Sequence, residues 1–304
     1  MATQDRSTIL AFSREKRTSR WLSVLTAVSL ILLTAAAAHA QTVTSMVPVG
    51  TAPQTLALNP VTNKIYVANA ASNNVTVING ATNTTTTVNV GSSPEAIAVN
   101  PNTNKIYVSN HGSNNVTVID GATNATVTVS AGNGPYGLAV NPVTNKVYVS
   151  NSDGNTVTVI DNGNNATTVQ AGTAPESVAV NPATNKIYVA NNGSNNVTVI
   201  DGVTNATSTV AAGNSPIAIA VNPVTNTVYV ANIKSNNVTI IDGATDLAST
   251  VGTESRPTLI AVNTVTNKIY VANEDSGNVT VIDGATNTTT SIPAGLIDPA
   301  AAAV

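Results

Sequence analysis

The 304-residue sequence contains no cysteine, which excludes thiol catalysis, disulfide bonds and thiolate-ligated metals. Histidine is almost as scarce, since His39 and His111 are its only two copies. Sites built from several imidazoles are therefore excluded as well. Aromatic residues make up 3% of the chain and charged residues 9%, so the sequence lacks the basic footprint of a nucleic-acid-binding protein.

The first 40 residues differ in composition from the rest of the chain. A basic segment precedes an apolar run over residues 21–38, and the run ends in an A-x-A sequence. This pattern is typical of a secretory signal peptide cleaved before Gln41. The alternative is an uncleaved membrane anchor, since the apolar run approaches the roughly 18–20 residues that a span requires. We predict cleavage, which leaves no membrane span and places the protein in the periplasm, at the cell surface or outside the cell.

Cleavage would also change the charge balance. Five of the 12 basic residues and two of the 15 acidic residues lie in the first 40 positions, together with the only Trp and the only Phe. The remaining chain carries a net charge of −6. A mildly acidic chain again argues against nucleic acid as a partner.

A repeat of about 41 residues fills the chain after the signal sequence. Its clearest copy spans Asn181 to Gly202, and successive copies start 40 or 41 residues apart. The other copies begin at Asn59, Asn100, Asn141, Asn222 and Asn263. A fixed period of this length predicts a repeat architecture in which stacked units share one core.

Each copy predicts four short strands and no helix. In the first copy the strands cover Leu56–Leu58, Lys64–Val67, Val75–Ile78 and Thr84–Val90, and the last is Thr-rich as expected of a solvated outer edge. Asn-Pro and Asp-Gly turns separate them, and Asn/Gly/Ser runs supply residues that tolerate positive φ. Four antiparallel strands per period predict an all-β fold, a β-propeller with six blades. The rival is a parallel β-helix, whose repeat is usually shorter.

The ends of the repeat region leave the closure of the ring open. Thr42–Val49 could supply an additional outer strand, and Pro299–Val304 resembles the start of an inner strand. A six-bladed ring closed by the N-terminal strand, a truncated seven-bladed ring and a ring closed by a partner chain all fit. We predict six blades over residues 41–295, followed by an Ala-rich tail or a further blade start over residues 296–304.

A four-residue motif within the second strand resembles the YVTN β-propeller repeat. It occurs at Tyr66–Asn69, Tyr107–Asn110, Tyr148–Asn151, Tyr188–Asn191, Tyr229–Asn232 and Tyr270–Asn273. Ala or Ser replaces the Thr of the motif, while the neighbouring NP-x-TNK and VIDG segments are similar to the family too. The resemblance covers about residues 41–295. It implies a secreted or surface-associated scaffold, often seven-bladed, and it implies no particular chemistry.

Positions at which one copy departs from the others are the better candidates for function. The residue after the Pro of the first strand varies around the repeat, and it is Glu95, Tyr136 and Glu176 in three consecutive copies. We predict that these three form a shallow binding site near the mouth of the central channel. The alternative is that these positions are exposed to solvent and vary without a functional role.

A second group of departures lies in the fifth and sixth copies. There, charged residues replace the usual Asn, Ser or Gly at Lys234, Glu254, Arg256, Glu274 and Asp275. They predict a polar partner-binding patch, with an ordinary charged surface as the alternative. The repeated Lys and Asp residues at the opposite turns are interpreted as solvated charge.

Catalytic constellations are nearly absent from the repeats. His111 stands alone in an Asn/Gly/Ser loop, and no G-x-S-x-G elbow accompanies it. We therefore predict a non-enzymatic scaffold with no cofactor and no metal site, whose partner is a protein, a glycan or another envelope component. The alternatives are a calcium-assisted hydrolase or lactonase using Glu95 and Glu176, and a purely structural surface-layer component.

Overall fold

The computed structural model describes residues 46–294, together with residues 9–11 and 29–31. The predicted signal-cleavage site, the first half of the proposed additional N-terminal strand (residues 42–45) and the C-terminal tail lie outside the described residues. Residues 46–50, which include the second half of that proposed strand, form no strand. Two short strands, β1 (Ile9–Ala11) and β2 (Ser29–Ile31), pair antiparallel. Across the part of the chain that is described, no helix is long and apolar enough to cross a membrane.

Residues Val47–Ala211 form one compact unit of four four-stranded antiparallel sheets, named blades 1 to 4. Blade 1 comprises β3 (Pro53–Asn59), β4 (Lys64–Asn69), β5 (Asn74–Asn79) and β6 (Thr85–Asn89). Blade 2 comprises β7 (Pro94–Asn100), β8 (Lys105–Asn110), β9 (Asn115–Asp120) and β10 (Thr126–Ser130). Blade 3 comprises β11 (Pro135–Asn141), β12 (Lys146–Asn151), β13 (Thr156–Ile160) and β14 (Ala166–Gln170). Blade 4 comprises β15 (Pro175–Asn181), β16 (Lys186–Asn191), β17 (Asn196–Asp201) and β18 (Thr207–Ala211).

Residues 212–294 belong to a second compact unit and contain two further sheets of the same kind. Blade 5 comprises β19 (Pro216–Asn222), β20 (Thr227–Asn232), β21 (Asn237–Asp242) and β22 (Ala248–Gly252). Blade 6 comprises β23 (Pro257–Asn263), β24 (Lys268–Asn273), β25 (Asn278–Asp283) and β26 (Thr289–Pro293). The six predicted blades are confirmed.

Each blade follows the predicted strand pattern, with buried middle strands and a solvated fourth strand. In blade 4, β16 and β17 are buried over most of their length, whereas β18 buries only Val210. The first strands start at the Pro itself, three residues earlier than predicted, because Pro is tolerated as the first residue of a strand. The only helical turn within residues 46–294 is a 3₁₀ turn at His111–Ser113.

Asparagine, rather than glycine, supplies most of the turn geometry. The chain adopts positive φ at Asn63 and Asn73 in blade 1, and the equivalent asparagines recur in later blades. Asparagine tolerates this left-handed region better than other residues with a Cβ. The high asparagine content of the repeat is therefore explained by the backbone conformation of its turns.

Apolar side chains fill the space between consecutive blades inside each unit. Tyr66 and Val77 of blade 1 belong to the same buried cluster as Ile106 and Val108 of blade 2. Between blades 5 and 6, Tyr229 packs in a cluster of the same composition. Burial of such side chains stabilises a fold by about 1.5–3 kcal/mol each.

Polar contacts also join consecutive blades, at the side of the Asn-Pro turns. The Asn59 side chain donates to Asn104 Oδ1 at 2.9 Å, and Lys64 Nζ donates to the backbone carbonyl of Gly121 at 2.6 Å. Lys146 makes the same contact to Gly202 at 2.7 Å. These lysines were interpreted as solvated charge, but the structure gives them a role in holding neighbouring blades together.

Candidate functional site

Two sets of loops share one side of each blade, as predicted, and we call this side the loop face. It consists of the segment before each first strand and the connection between the second and third strands. In blade 2, the His111 N–H donates to the Ser93 carbonyl and the Gly112 N–H to the Ser92 carbonyl, both at 3.0 Å. Residues from both loops are therefore held side by side.

The residues predicted as a binding site lie at β-bulges on the loop face. The strand register shifts between Pro94 and Ala96, so that Glu95 falls within the bulge. Tyr136 and Glu176 follow the same rule in blades 3 and 4. Bulges redirect a side chain out of the regular pleat and are enriched next to functional sites. Their joint role as a site remains a prediction.

Two serines that the sequence analysis passed over hold these bulges in place. Ser109 and Ser150 stand where the other four copies carry Ala, and both are fully buried. The Ser109 hydroxyl donates to the Tyr136 carbonyl at 2.6 Å, and the Ser150 hydroxyl to the Glu176 carbonyl at 2.7 Å. Each serine therefore fixes the bulge of the following blade, and the Ala-to-Ser change within the motif was the available signal.

Gly137 allows the close approach of blades 3 and 4 at this point. A Cβ built on Gly137 would collide with the backbone carbonyl oxygen of Glu176. The Gly137 N–H donates to Ser150 Oγ at 2.9 Å. Glycine appears at this position in blade 3 alone, so the bulge carrying Tyr136 is built differently from the others.

His111 contacts both Tyr136 and Asp153 on the loop face. The imidazole and phenol ring centroids lie 6.4 Å apart with an interplanar angle of 83°, which is an edge-to-face contact. Asp153 Oδ2 lies 3.5 Å from His111 Nε2. The side chains of His111 and Asp153 are 36% and 65% exposed, so a ligand can reach both. In the sequence His111 stands alone in an Asn/Gly/Ser loop, and no local pattern connects it with Asp153 or Tyr136 of the next copy.

Burial changes the ionisation of the neighbouring Glu176. Desolvation raises the pKa of this carboxyl above its usual value, since the charged form loses hydration. A carboxyl group of this kind is a stronger candidate for ligand contact than a fully solvated one. The site in blades 2 to 4 thus offers an imidazole, a phenol and carboxyl groups on one face.

The second predicted group is brought together in blades 5 and 6, except for one member. Arg256 Nη1 lies 3.4 Å from Glu274 Oε1 and 3.5 Å from Asp275 Oδ1. Lys234, Arg256 and Asp275 line one open cavity. Glu254 is exposed and does not line that cavity.

Acidic side chains do not converge into a cation site in the described part of the chain. Over residues 46–294, no three His, Asp or Glu side chains are grouped closely enough to hold a metal ion. The calcium-assisted alternative, which needs Glu95 and Glu176 to act together, gains no structural support from the described residues.

Comparison with solved structures identifies the fold of the chain. No protein-family model matches the chain, and no curated protein matches it. A solved structure of a protein from Lactobacillus plantarum aligns with a TM-score of 0.74 over 98% of both chains at 16% identity. Virginiamycin B lyase from Staphylococcus aureus aligns with a TM-score of 0.69 at 13% identity, over 80% of this chain and 84% of the lyase. The chain folds as a six-bladed β-propeller.

A third structure bears on catalysis. Hydrazine synthase from Kuenenia stuttgartiensis aligns with a TM-score of 0.64 over 76% of both chains at 21% identity. We predicted a non-enzymatic protein, and that prediction is wrong, because the structures similar to this propeller include two enzymes. A shortage of familiar catalytic motifs in the repeats therefore carries no argument against an activity.

Proposed function

We propose that this chain is a YVTN-type β-propeller that binds a glycan of the cell envelope on the loop face of blades 2 to 4. The observation that carries the proposal is the contact of His111 with both Tyr136 and Asp153. All three positions vary among the six copies, and the blade-4 copy carries Asn192, Glu176 and Gly193 in their places.

The chemistry of the site favours a hydroxylated ligand. Ionised carboxylates accept hydrogen bonds from hydroxyl groups, and imidazole nitrogens can donate or accept. The Tyr136 ring adds an apolar surface with a polar end, which suits ligands that are apolar on one face and wet on another. The envelope as the place of binding is supported by the signal-like segment before Gln41 and by the resemblance of the YVTN motif.

The proposal is tested by titrating soluble peptidoglycan fragments into the protein and following binding by calorimetry. We expect Tyr136→Ala and Asp153→Gly to weaken binding about tenfold each, as loss of a hydrogen bond to a charged group or of an aromatic contact would. Asn192→Ala, which changes the equivalent loop of blade 4, serves as the matched control and should leave the affinity unchanged. Equal affinity of all variants, or absence of binding to the wild type, contradicts the proposal. Binding of the stem peptide alone would identify a peptide ligand instead of a glycan.

The His111–Asp153 pair also favours a second candidate function, acid–base catalysis. A carboxylate 3.5 Å from an imidazole nitrogen can orient the ring for proton transfer. A histidine-to-alanine variant of virginiamycin B lyase, solved with quinupristin, is described as catalytically inactive. A propeller of this fold can thus depend on one histidine for its chemistry.

This candidate is tested by incubating the protein with quinupristin and following the substrate by mass spectrometry. Turnover by the wild type that disappears in His111→Ala would support it, provided that His111→Ala still binds the substrate. No turnover by the wild type, or turnover that survives His111→Ala, would contradict it.

A further inference from the structure

An open cavity of ≈ 290 Å³ lies on the loop face between blades 5 and 6. It shares no residue with the site in blades 2 to 4 and does not depend on the function proposed there. Its volume is close to the lower limit of about 300 Å³ that is typical of small-molecule sites, so the ligand considered is no larger than a monosaccharide. The lining residues are Ile233, Lys234, Asn236, Ser255, Arg256 and Asp275.

Both cations of the cavity are departures from the repeat. Lys234 stands where blades 2 and 4 carry Gly112 and Gly193, and it is exposed. Arg256 occupies a position with φ 61°, where the other copies carry only Ala, Ser or Gly. A long side chain is uncommon in this left-handed region, and such an outlier is a reason to look for a function.

Two carboxylates orient the guanidinium of Arg256. Glu274 and Asp275 both contact Nη1, at 3.4 Å and 3.5 Å. A guanidinium has five N–H donors in a fixed fork, which binds a carboxylate group through two parallel hydrogen bonds. Contacts at a single nitrogen leave donors of the fork for a ligand.

The backbone anchors the loop that carries the second cation. The Lys234 N–H donates to the Asn214 carbonyl at 3.2 Å, and the Ile233 N–H to the Ser215 carbonyl at 3.0 Å. The backbone of Lys234 is therefore held in place at the edge of the cavity.

We propose that this cavity binds a hydroxylated monocarboxylate of monosaccharide size, a uronic acid. The carboxylate lies between Lys234 and Arg256, whose charges attract it. Asn236, Ser255 and Asp275 pair with the hydroxyl groups, and Ile233 contacts the sugar ring. The charged lining residues are Lys234, Arg256 and Asp275, two positive and one negative, so the cavity carries a net charge of +1. This balance favours one negative charge on the ligand over the two of a phosphate monoester.

The first experiment titrates D-glucuronate, D-glucose and inorganic phosphate separately into the full chain, with binding followed by NMR. Glucuronate should bind and shift the amide signals of Lys234, Arg256 and Asp275, whereas glucose should bind at least tenfold more weakly. Equal affinity for glucose and glucuronate overturns the proposal, as does binding of phosphate in preference to glucuronate.

The second experiment uses substitutions that other blades already tolerate. Lys234→Gly and Arg256→Ser reproduce the residues of blade 4 and blade 5, so both variants should fold, which circular dichroism verifies. Each should weaken glucuronate binding about tenfold, the loss expected when a hydrogen bond to a charged group is removed. Lys64→Thr removes one positive charge at a turn of blade 1 and serves as the charge control. Undiminished binding in both cavity variants, or an equal loss in Lys64→Thr, overturns the proposal.

Discussion

Replacing Ser150 with Ala tests how firmly blade 3 holds the bulge of blade 4. Ser150 is fully buried, accepts a hydrogen bond from the Gly137 N–H at 2.9 Å and donates one to the Glu176 carbonyl at 2.7 Å. Each such bond contributes about 1 kcal/mol to stability. Their joint loss should therefore lower the free energy of unfolding by about 2 kcal/mol.

Urea unfolding followed by far-UV circular dichroism measures this change. The midpoint should fall while the slope of the transition stays the same, because the surface exposed on unfolding does not change. Ser152→Ala is the matched control, since Ser152 is only partly buried and donates one bond, to the Gly134 carbonyl at 3.1 Å. It should cost about 0.5 kcal/mol or less. If Ser150→Ala costs no more than Ser152→Ala, the serine does not hold the bulge.

Three further predictions concern ionisation. Burial raises the pKa of Glu176, so its ionised carboxylate destabilises the fold once the pH exceeds the pKa of this group in the unfolded chain. Glu176→Gln should therefore raise the urea midpoint at pH 7 but not at pH 3. Glu254→Gln, at an exposed site, should leave the midpoint unchanged at both pH values. The hydrogen bond from Lys268 is the main cause that lowers the pKa of Asp283 to about 2. This pair therefore stabilises the fold above about pH 4, and the stabilisation is lost as the pH falls towards 2. Lys268→Thr should raise the pKa of Asp283 in an NMR titration, and an unchanged pKa would contradict the role of Lys268. Burial raises the pKa of Tyr148 to about 12. Stability should fall as the pH rises from about 10 towards 12, because the phenol ionises at a lower pH in the unfolded chain than in the folded protein. An absorbance titration that finds Tyr148 ionising at about pH 10 in the folded protein would refute this.

Most of the fold was predictable because the turn residues and strand residues recur at fixed positions in each copy of the repeat. Asn-Pro steps, Asp-Gly steps and the Tyr-containing second strand recur at fixed offsets, and each has a local physical reason. Contacts between blades were not predictable in the same way. Lys64 and Gly121 are 57 positions apart, and only the packing of two blades shows that the lysine donates to that carbonyl.

The candidate sites show the same limit. Tyr136 and Glu176 were identified because they depart from the repeat, and Arg256 and Asp275 for the same reason. His111 was set aside because its partners come from the next blade, 25 and 42 positions away. A comparison of copies finds the departures, but geometry is needed to group them into sites.

The most direct test of the account replaces His111, Tyr136 and Asp153 together with Asn, Glu and Gly, the residues that blade 4 carries at these positions. The variant keeps the repeat chemistry of the blades, so its thermal midpoint should stay within a few degrees of the wild type. Calorimetric titration with soluble peptidoglycan fragments should then show binding to the wild type and none to the variant. Equal affinities for the two proteins would contradict the claim that these three departures form the binding site.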